Sequence, residues 1–329
     1  MISRGRRGVV TIARMVRDAL IAITIASLLA GIIGQLFNDS ITLLIPLMYL
    51  PVPLVAAVAV GIDLIRRGRT VRGLRFSLSL IAMISLAIEF PQLFGTGRFD
   101  AAQPNLPTVR LLQWNVMWGG RWSAATEWGD ISKKVIDRKA DIVVLSEVPL
   151  DENLPAQLLH RLGDDWHVAA FDHFGQGEYV ARLRIFSRYP VATEYSRVAT
   201  DGVFVVVRID APSPIRMMVV DGVSGINDKS PLLKFIADAV NQDGHIDIIT
   251  GDFNATSRST GFASIQSQGY RDADNHNLTY RPTWPAMLPI FDIDHLLISQ
   301  RHRVLNCRSF YSRGSDHRGQ YVDLQFNAR

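Results

Sequence analysis

Side chains that could do hydrolytic chemistry follow a short apolar run near residue 250. Ile248 and Ile249 are β-branched, Gly251 ends the run, and Asp252 and Asn254 follow two residues apart. On an extended chain, residues i and i+2 lie on one face, so these two side chains can point into one pocket. A carboxylate beside a carboxamide suits activation of a water and hydrogen bonding to a phosphate oxygen. An ordinary strand-to-turn junction would give the same pattern, because Gly, Asp and Asn are the usual turn residues.

Polar residues at the ends of other segments extend this pattern along the second half of the sequence. They are Asn115, Glu147, Asp294, Asp316 and His317. Together with the first pair they offer mainly oxygen ligands, and the single cysteine excludes a cysteine-based metal cluster. Such a set suits Mg²⁺, with Mn²⁺ as the alternative ion, better than Zn²⁺. The plain alternatives are an exposed strand terminus at Glu147 and a surface loop histidine at His317.

The segments that must position these groups have the patterns of strands and helices in mixed order. Strands are predicted at residues 109–113, 141–148, 179–186, 203–209, 216–220, 248–252, 292–298 and 320–326. Helices are predicted at residues 123–139, 154–162, 230–240 and 259–267, with Ser123 as the N-cap of the first. Because strands and helices do not alternate strictly, we expect two sheets flanked by helices rather than a Rossmann-type parallel sheet.

The first 95 of the 329 residues have the composition of a membrane anchor. Three long apolar runs, at residues 19–37, 41–62 and 76–94, predict three transmembrane helices. Three prolines within the second run would kink it, which a membrane helix tolerates. A soluble helical bundle is disfavoured because the first two runs have no polar face. A cleaved signal peptide would explain only the first run.

The arginines predict the orientation of this anchor. They lie before the first run and between the second and third, at Arg4, Arg6, Arg7, Arg14, Arg17, Arg66, Arg67, Arg69, Arg72 and Arg75. The positive-inside rule then places the N-terminus in the cytoplasm and everything after residue 95 outside it. We therefore expect a multi-pass protein of a bacterial inner (plasma) membrane. Residues 96–107, rich in Gly, Pro, Asn and Ala, are expected to form a linker.

Six segments, in this order along the chain, resemble the endonuclease/exonuclease/phosphatase superfamily. They are Gln113-Trp114-Asn115-Val116, Asp141 to Val148, Ser187 to Pro190, Thr250 to Ala255, Ile293 to Ile298 and Ser315 to Arg318. The resemblance covers residues 108–329. It implies a four-layer α/β sandwich of two mixed β-sheets flanked by helices, preceded here by the three transmembrane helices. It also implies metal-dependent hydrolysis of a phosphoester.

The resemblance implies a role for each matching residue. Glu147 would be the main Mg²⁺ ligand with Asn115 beside it, and Asp316 would help to hold the metal or its waters. In the catalytic group, Asp252 would orient or deprotonate the attacking water, and Asp294 would orient a histidine. The groups that contact the phosphate would be Asn254 and His317.

Four further residues have less certain roles in the sequence. Arg188 is either a structural partner or a phosphate contact, and His295 is expected to pack or hydrogen-bond structurally. Trp284 is expected in the core, with a substrate-side aromatic as the alternative. Asp221 is a departure, because many family members have His or Tyr after the corresponding strand. An ionised carboxylate there cannot donate a proton to a phosphate and would repel it.

The leading hypothesis is a membrane-anchored, Mg²⁺-dependent phosphoesterase, that is, a phosphodiesterase, phosphatase or nuclease acting outside the cytoplasm. Its expected partners are an unidentified phosphoester and the lipid bilayer, with no obligate protein partner. The formal charge of only +4 does not indicate a dedicated nucleic-acid binder. The alternative is a catalytically degenerate domain that binds a phosphorylated ligand or partner. Pure membrane scaffolding would not need this set of polar residues.

Overall fold

A computed structural model describes residues 2–65, 77–120, 124–174 and 180–327. The chain divides into two units, Met1–Pro91 and Gln92–Arg329. Some predictions fall on residues outside the described ranges. These are Ser123 as an N-cap, the start of the strand at Tyr179, the start of the third apolar run at Phe76, and the five arginines between Arg66 and Arg75.

The N-terminal unit is helical. Its elements are α1 (Ile2–Phe37), a 3₁₀ turn (Thr42–Leu44), α2 (Ile45–Met48), α3 (Val52–Ile65) and α4 (Ser77–Leu93), which ends just beyond the unit boundary. Small and branched side chains of α1, α3 and α4, among them Leu28, Ala56 and Ala82, pack together. Close approach of these helices follows from the small side chains at their contacts.

Among the described residues of this unit, only one helix is long and apolar enough to cross a membrane, at Arg14–Phe37. The second apolar run is broken into two helical segments, Thr42–Met48 and Val52–Ile65, with a bend of 59° between them. The two segments are long and apolar enough for one further span only when they are taken together. Pro51 lies at the break and cannot donate a backbone hydrogen bond. The helix of the third run, α4, has 17 residues, about 25 Å, less than a bilayer's hydrocarbon thickness. The three predicted transmembrane helices are therefore not confirmed.

The second unit is built on two six-stranded mixed sheets. Its strands are β1 (Thr108–Asn115), β2 (Ile142–Ser146), β3 (His167–Phe174), β4 (Val180–Ser187), β5 (Val191–Ala199), β6 (Gly202–Ile209), β7 (Ile215–Gly222), β8 (Ile248–Asp252), β9 (Tyr270–Asp272), β10 (Asp294–Ser299), β11 (Arg303–Phe310) and β12 (Gly319–Gln325). The first sheet has the order β11-β12-β1-β2-β4-β3, and the second has the order β5-β6-β7-β8-β10-β9. Its helices are α5 (Ala124–Asp137), α6 (Asn153–Leu162), α7 (Ser230–Asp243) and α8 (Phe262–Gln266).

Three apolar clusters hold these elements in four layers. Side chains from facing strands of both sheets, such as Leu111 and Val219, fill the space between the sheets. Residues of α5 and α6, such as Ile131 and Leu158, pack on the outer face of the first sheet. Residues of α7 and α8, such as Ile236, cover the outer face of the second. The predicted four-layer α/β sandwich is confirmed.

Gly251 is required where β8 meets β7. Its φ is +137°, and a Cβ atom there would lie 2.0 Å from the Val220 carbonyl oxygen. Any other residue would clash with this backbone and strain the chain. The glycine lets Asp252 follow at the strand end without separating the two strands.

The predicted linker, residues 96–107, lies within the second unit and hydrogen-bonds to its strands and loops. The Gly97 amide donates to the Asn275 carbonyl at 2.9 Å, and the Asp100 amide donates to the Val304 carbonyl at 2.8 Å. The Gln103 amide donates to the Gln325 side chain at 2.8 Å. Glycine and proline content indicated the absence of regular structure here, but the backbone hydrogen bonds are made to neighbouring strands and loops instead.

Candidate active site

Three aspartates form a row across the end of the second sheet. β7 and β8 are parallel and place Asp221 beside Asp252, and antiparallel β10 places Asp294 on the other side of Asp252. Side chains two and four positions from each aspartate point to the same face of the sheet, toward the space between the two sheets. On β7 these are Val219 and Met217, which are part of the apolar core there. The inner face of the sandwich therefore changes from apolar to acidic at this end.

The first sheet faces this row with amide side chains of β1. The Gln113 Nε2 donates to Asp294 Oδ1 at 3.1 Å, and the Asn115 Nδ2 donates to Asp252 Oδ2 at 2.8 Å. Gln113 and Asn115 follow Leu111 at period two, so β1 shows the same change from apolar to polar. Sequence reasoning assigned no role to Gln113, although its position two residues before Asn115 was a usable signal.

Glu147 reaches the site from the loop that follows β2. Its φ is +50°, a left-handed conformation that costs about 1–3 kcal/mol and is held by the surroundings. The Glu147 carbonyl accepts from the Trp118 amide at 2.6 Å. Two residues on, the Pro149 carbonyl accepts from the buried Arg182 guanidinium. Burial raises the pKa of the Glu147 carboxyl, and a hydrogen bond from Asn115 opposes that rise.

His317 lies in the loop before β12 and is fixed from several sides. Its Nδ1 lies 2.8 Å from Asp294 Oδ2, and its Nε2 lies 3.8 Å from Asp252 Oδ2. The His317 amide donates to Ser315 Oγ at 3.0 Å, and its carbonyl accepts from Trp114 Nε1 at 3.0 Å. Because Asp294 occupies Nδ1, the Nε2 nitrogen faces the other carboxylates.

The charges of this group are set by one another. Burial would lower the pKa of His317, but the Asp294 and Asp252 carboxylates outweigh it and raise the pKa to about 10. Burial acts to raise the pKa of Asp294, yet the charge and hydrogen bond of His317 bring it below the ordinary value. Burial and the Asp294 charge raise the pKa of Asp252 to about 7. The pair of His317 and Asp294 is thus ionic, and the pKa of Asp252 lies near neutral pH.

Asn254 follows Asp252 with a φ of +47°. Its amide nitrogen in the backbone donates to Asp252 Oδ1 at 2.8 Å, and its side-chain Nδ2 donates to the Gly222 carbonyl at 2.8 Å. The side chain thus links the ends of β8 and β7. The side-chain Nδ2 of Asn254 carries two hydrogens, so its bond to the Gly222 carbonyl leaves the second hydrogen able to bond to a substrate oxygen.

Asp316 is positioned by the loop around Trp284. Trp284 Nε1 donates to Asp316 Oδ2 at 3.0 Å, and Asp316 Oδ1 lies 3.9 Å from His317 Nε2. Trp284 is only half-buried, so its expected place in the core is wrong. The indole instead holds a carboxylate, which uses the one polar group that tryptophan has.

Asp221 is buried in the acidic row rather than exposed at its edge. Burial, together with the Glu147 and Asp252 charges, holds the pKa of Asp221 well above its ordinary value. A raised pKa shifts the balance toward the protonated carboxyl group, which can donate a hydrogen bond. The expected repulsion of a phosphate at this position therefore does not follow from the residue type alone.

Arg188 does not join the site, so its candidate role as a phosphate contact is wrong. β4 runs antiparallel to β2 and pairs Ser187 with Ile142, at the start of β2, whereas Glu147 follows its end. Five strand residues separate the two ends by roughly 17 Å. Arg188 is exposed and its Nη1 lies 3.5 Å from Asp141.

His295 has the structural place that was expected for it. Its Nε2 lies 2.8 Å from the Ala255 carbonyl, and its ring packs against Phe253 and Phe262. Its Nδ1 lies 3.6 Å from Asp272.

The donor set fits a hard divalent cation. Five carboxylates from both sheets and their loops converge here: Glu147, Asp221, Asp252, Asp294 and Asp316. Ligand atoms of two of these aspartates and of His317 lie within 4.8 Å of one another. Lys229 is influenced by the Asp252 charge, but its ammonium donates to the Val223 carbonyl at 2.5 Å. Among the described residues of this cluster, carboxylates therefore outnumber positively charged side chains, and most potential ligand atoms are oxygens.

A cleft of about 450 Å³ opens beside this cluster. Glu147 and Asp221 lie in its wall, and Trp118, Leu150 and Phe174 are among its apolar lining residues. Its size is that of a small-molecule site, and it reaches the same two carboxylates that the cluster uses.

Solved structures and sequence families were compared with this chain. An endonuclease/exonuclease/phosphatase family protein from Leptotrichia buccalis is 17% identical, with a TM-score of 0.54 over 66% of this chain and all of that one. A family protein from Bacteroides thetaiotaomicron is 15% identical, with a TM-score of 0.51 over 68% of this chain and 99% of that one. The human Nocturnin catalytic domain, with bound sulfate, is 17% identical, with a TM-score of 0.50 over 68% and 96% of the two chains. No curated protein matches the sequence.

These likenesses show the fold. The sequence pattern of one family also matches residues 112–317, which is more than half of the chain and runs from Leu112 within β1 to His317. The chain belongs to the Endonuclease/Exonuclease/phosphatase family.

Proposed function

We propose that this protein is a metal-dependent phosphoesterase whose site is the acidic cluster around His317. The observation that carries the proposal is the convergence of five carboxylates from two sheets on one histidine, beside an open cleft. A buried excess of carboxylate is costly unless a cation or a proton offsets it. Family membership supports phosphoester hydrolysis as the chemistry.

In this proposal, Glu147 with Asn115 and Asp316 would hold Mg²⁺ or Mn²⁺. When bound, such an ion polarises a phosphoryl oxygen and neutralises charge on the leaving oxygen. Asn115 joins the two halves of the site, because its Nδ2 also donates to Asp252. Loss of Asn115 would therefore affect both the cation ligands and the base.

Asp252 would take a proton from the attacking water. Both of its oxygens accept hydrogen bonds, from Asn115 and from the Asn254 amide, so the carboxylate is held in one orientation. Its pKa of about 7 matches acceptance of a proton near neutral pH. The oxygen of that water bonds to phosphorus, and the bond to the leaving oxygen breaks.

His317 would donate its Nε2 hydrogen to a phosphate oxygen while Asp294 holds its Nδ1. The ionic pair keeps the imidazole charged, so it stabilises the negative charge that grows on the phosphate. Asn254 would add a second hydrogen bond to the same group. Asp221, in its protonated form, would be able to donate rather than repel.

We further propose that α1 anchors the protein in a membrane and that the second unit acts on the extracytoplasmic side. The length and apolar composition of Arg14–Phe37 support the anchor. The arginines that precede this segment support the orientation. The substrate would then be a phosphoester that reaches the outer face of the bilayer.

The proposal is tested with the purified full chain and bis(p-nitrophenyl) phosphate and p-nitrophenyl phosphate as substrates. Turnover with Mg²⁺ or Mn²⁺, its loss in EDTA, and its loss in Asp252→Asn and His317→Asn would support a hydrolase. Arg188→Gln is the matched control, because this exposed residue lies outside the site. A folded protein that binds the ion without turning over either substrate would favour a binding-only domain.

A further inference from the structure

We infer that the cleft beside the acidic cluster binds the apolar chain of an amphiphilic phosphoester, that is, an alkyl or acyl chain joined to the phosphate. This inference rests on the proposed function and names the substrate class for the same site. It follows from the lining of the cleft, from its position next to the carboxylates, and from the exposed side chains at its mouth.

The lining of the cleft is divided into two chemically different walls. Trp118, Leu150, Phe174 and Val180 form an apolar wall, contributed by the loops after β1 and β2 and by the ends of β3 and β4. The other wall comes from the end of β7 and the residues after it, with Asp221, Gly222 and Ser224. Glu147 also lines the cleft. A phosphate near Glu147 would thus have an apolar surface on one side.

The apolar wall continues to the protein surface. The side chain of Leu150 is 67% exposed and that of Phe174 is 64% exposed. Large apolar side chains grouped at the mouth of a polar site are unfavourable in water unless something apolar covers them. Burial of one methylene is worth about 0.8 kcal/mol, so an alkyl chain laid along this wall would add substantially to binding.

A second group of exposed apolar residues lies on the Asp316 side of the site. Met287 is 71% exposed and Leu288 is 55% exposed. Both belong to the loop that contacts Asp316, since Trp284 donates to its carboxylate and Ala286 donates to its carbonyl at 2.6 Å. The loop that holds Asp316 therefore also carries exposed apolar side chains, as expected for a site that meets an apolar surface.

Charge argues against a polyanionic substrate in the cleft. Among the described residues that line it, none is Lys, Arg or His, and two are carboxylates. Binding of nucleic acid depends chiefly on Lys and Arg that neutralise successive phosphates. Aromatic stacking on Trp118 or Phe174 would not replace those contacts, because single-strand grooves combine aromatic and basic residues. A substrate with a single phosphoester and an apolar chain matches the apolar lining and the lack of basic residues better than a polyanion does.

The test uses the full chain in amphipol with p-nitrophenyl alkyl phosphates bearing methyl, butyl or octyl groups, each below its critical micelle concentration. Nitrophenolate release gives kcat/KM for each ester. We expect kcat/KM to rise about fourfold for each added methylene until the cleft is filled, and at least about tenfold from methyl to butyl. Leu150→Ser and Phe174→Ser should flatten this series, because they should lower kcat/KM for the octyl ester more than kcat/KM for the methyl ester.

Val168→Ser is the matched control, because Val168 is an exposed apolar residue at the other end of the strand that carries Phe174. It should keep the full dependence on chain length. Turnover of all three esters at equal kcat/KM, or faster cleavage of a single-stranded oligonucleotide than of the octyl ester, would overturn the inference and leave the phosphoesterase proposal standing. Absence of turnover for every alkyl ester would overturn the inference, and the phosphoesterase proposal fails as well only if bis(p-nitrophenyl) phosphate and p-nitrophenyl phosphate are also not hydrolysed under any metal condition.

Discussion

Two buried carboxylate clusters lie in the second unit, and they differ in how their charge is balanced. The structural cluster gathers Asp272, Asp274 and Asp292 around Arg281, at distances of 3.2, 3.1 and 3.8 Å. The second is the acidic cluster around His317, which gathers five carboxylates; it is the site of the proposed catalysis and is called the catalytic cluster below. Arginine is permanently charged and offers five N–H donors, whereas an imidazolium offers two.

The difference teaches what each cluster is for. Arg281 contacts every carboxylate of its cluster, and His295, with its pKa raised to about 9, adds a second positive charge beside Asp272. That cluster is closed and nearly balanced. In the catalytic cluster the carboxylates outnumber the one histidine, and burial raises the pKa of Glu147 and of Asp221. The excess and the open cleft are what a cation and a phosphate would occupy.

The largest expected effect is on catalysis, from Glu147→Gln in the catalytic cluster. We expect kcat/KM for bis(p-nitrophenyl) phosphate to fall about a thousandfold or more, because the cation loses its main ligand. The free energy of unfolding in EDTA should not fall, since one of several repelling carboxylates is removed. Retention of kcat/KM within tenfold of the unaltered protein would contradict the assignment of Glu147.

In the structural cluster, we expect Arg281→Met to lower the stability of the protein rather than its activity. Removal of the guanidinium leaves three buried carboxylates without their shared partner, and we expect a loss of about 3–5 kcal/mol in the free energy of unfolding. Chemical denaturation of the full chain, followed by tryptophan fluorescence, measures this loss. Activity per folded molecule should change little. A loss below about 1 kcal/mol would show that the structural cluster does not depend on Arg281.

The pH dependence of stability should distinguish His295. Its folded pKa of about 9 lies above the ordinary value of 6.5, so its contribution is fully present below pH 6.5 and is lost as the pH rises through 9. The difference in unfolding free energy between the unaltered protein and His295→Gln should therefore shrink by about 3 kcal/mol from pH 6 to pH 9.5. A difference that stays constant over this range would exclude a charged His295.

The smallest effect concerns the N-terminal edge of the structural cluster. Gln92 Nε2 donates to Asp292 Oδ1 at 2.8 Å, and both side chains are buried. Gln92→Leu removes this donor, and we expect a loss of about 1–2 kcal/mol in the free energy of unfolding. Gln103→Leu serves as a comparison, because its side chain is exposed. Equal effects of the two substitutions would argue against a specific role of Gln92.

Much of the sandwich could be predicted from the sequence, and the omissions have one cause. The predicted strands correspond to β1, β2, β4, β6, β7, β8, β10 and β12, which are the interior strands of the two sheets. The omitted strands, β3, β5, β9 and β11, are the four sheet edges. Interior strands are apolar on both faces or end in a clear polar residue, whereas β5 alternates between exposed and half-buried residues.

The candidate site was predictable where a polar residue ends an interior strand. Asn115, Glu147 and Asp252 lie at or directly after the last residue of such a strand, whereas Asp294 begins one, and the structure brings all four together. Arg188 also ends a strand, but sequence alone does not reveal that β4 runs antiparallel to β2.

The structural cluster was not anticipated at all. Its Asp274, Arg281 and Asp292 lie outside the strands, and their contacts depend on how the chain between β9 and β10 folds back. No residue period marks such a loop, so propensity and pattern give no signal for its buried ion pairs.

Binding of Mn²⁺ to the full chain, followed by electron paramagnetic resonance of the free ion, tests the central claim most directly. Three proteins are compared near neutral pH: the unaltered chain, Glu147→Gln in the catalytic cluster and Asp274→Asn in the structural cluster. The account predicts a bound ion in the unaltered chain and in Asp274→Asn, and its loss in Glu147→Gln. Unchanged binding in Glu147→Gln, or loss of binding only in Asp274→Asn, would contradict the assignment of the unbalanced cluster as the cation site.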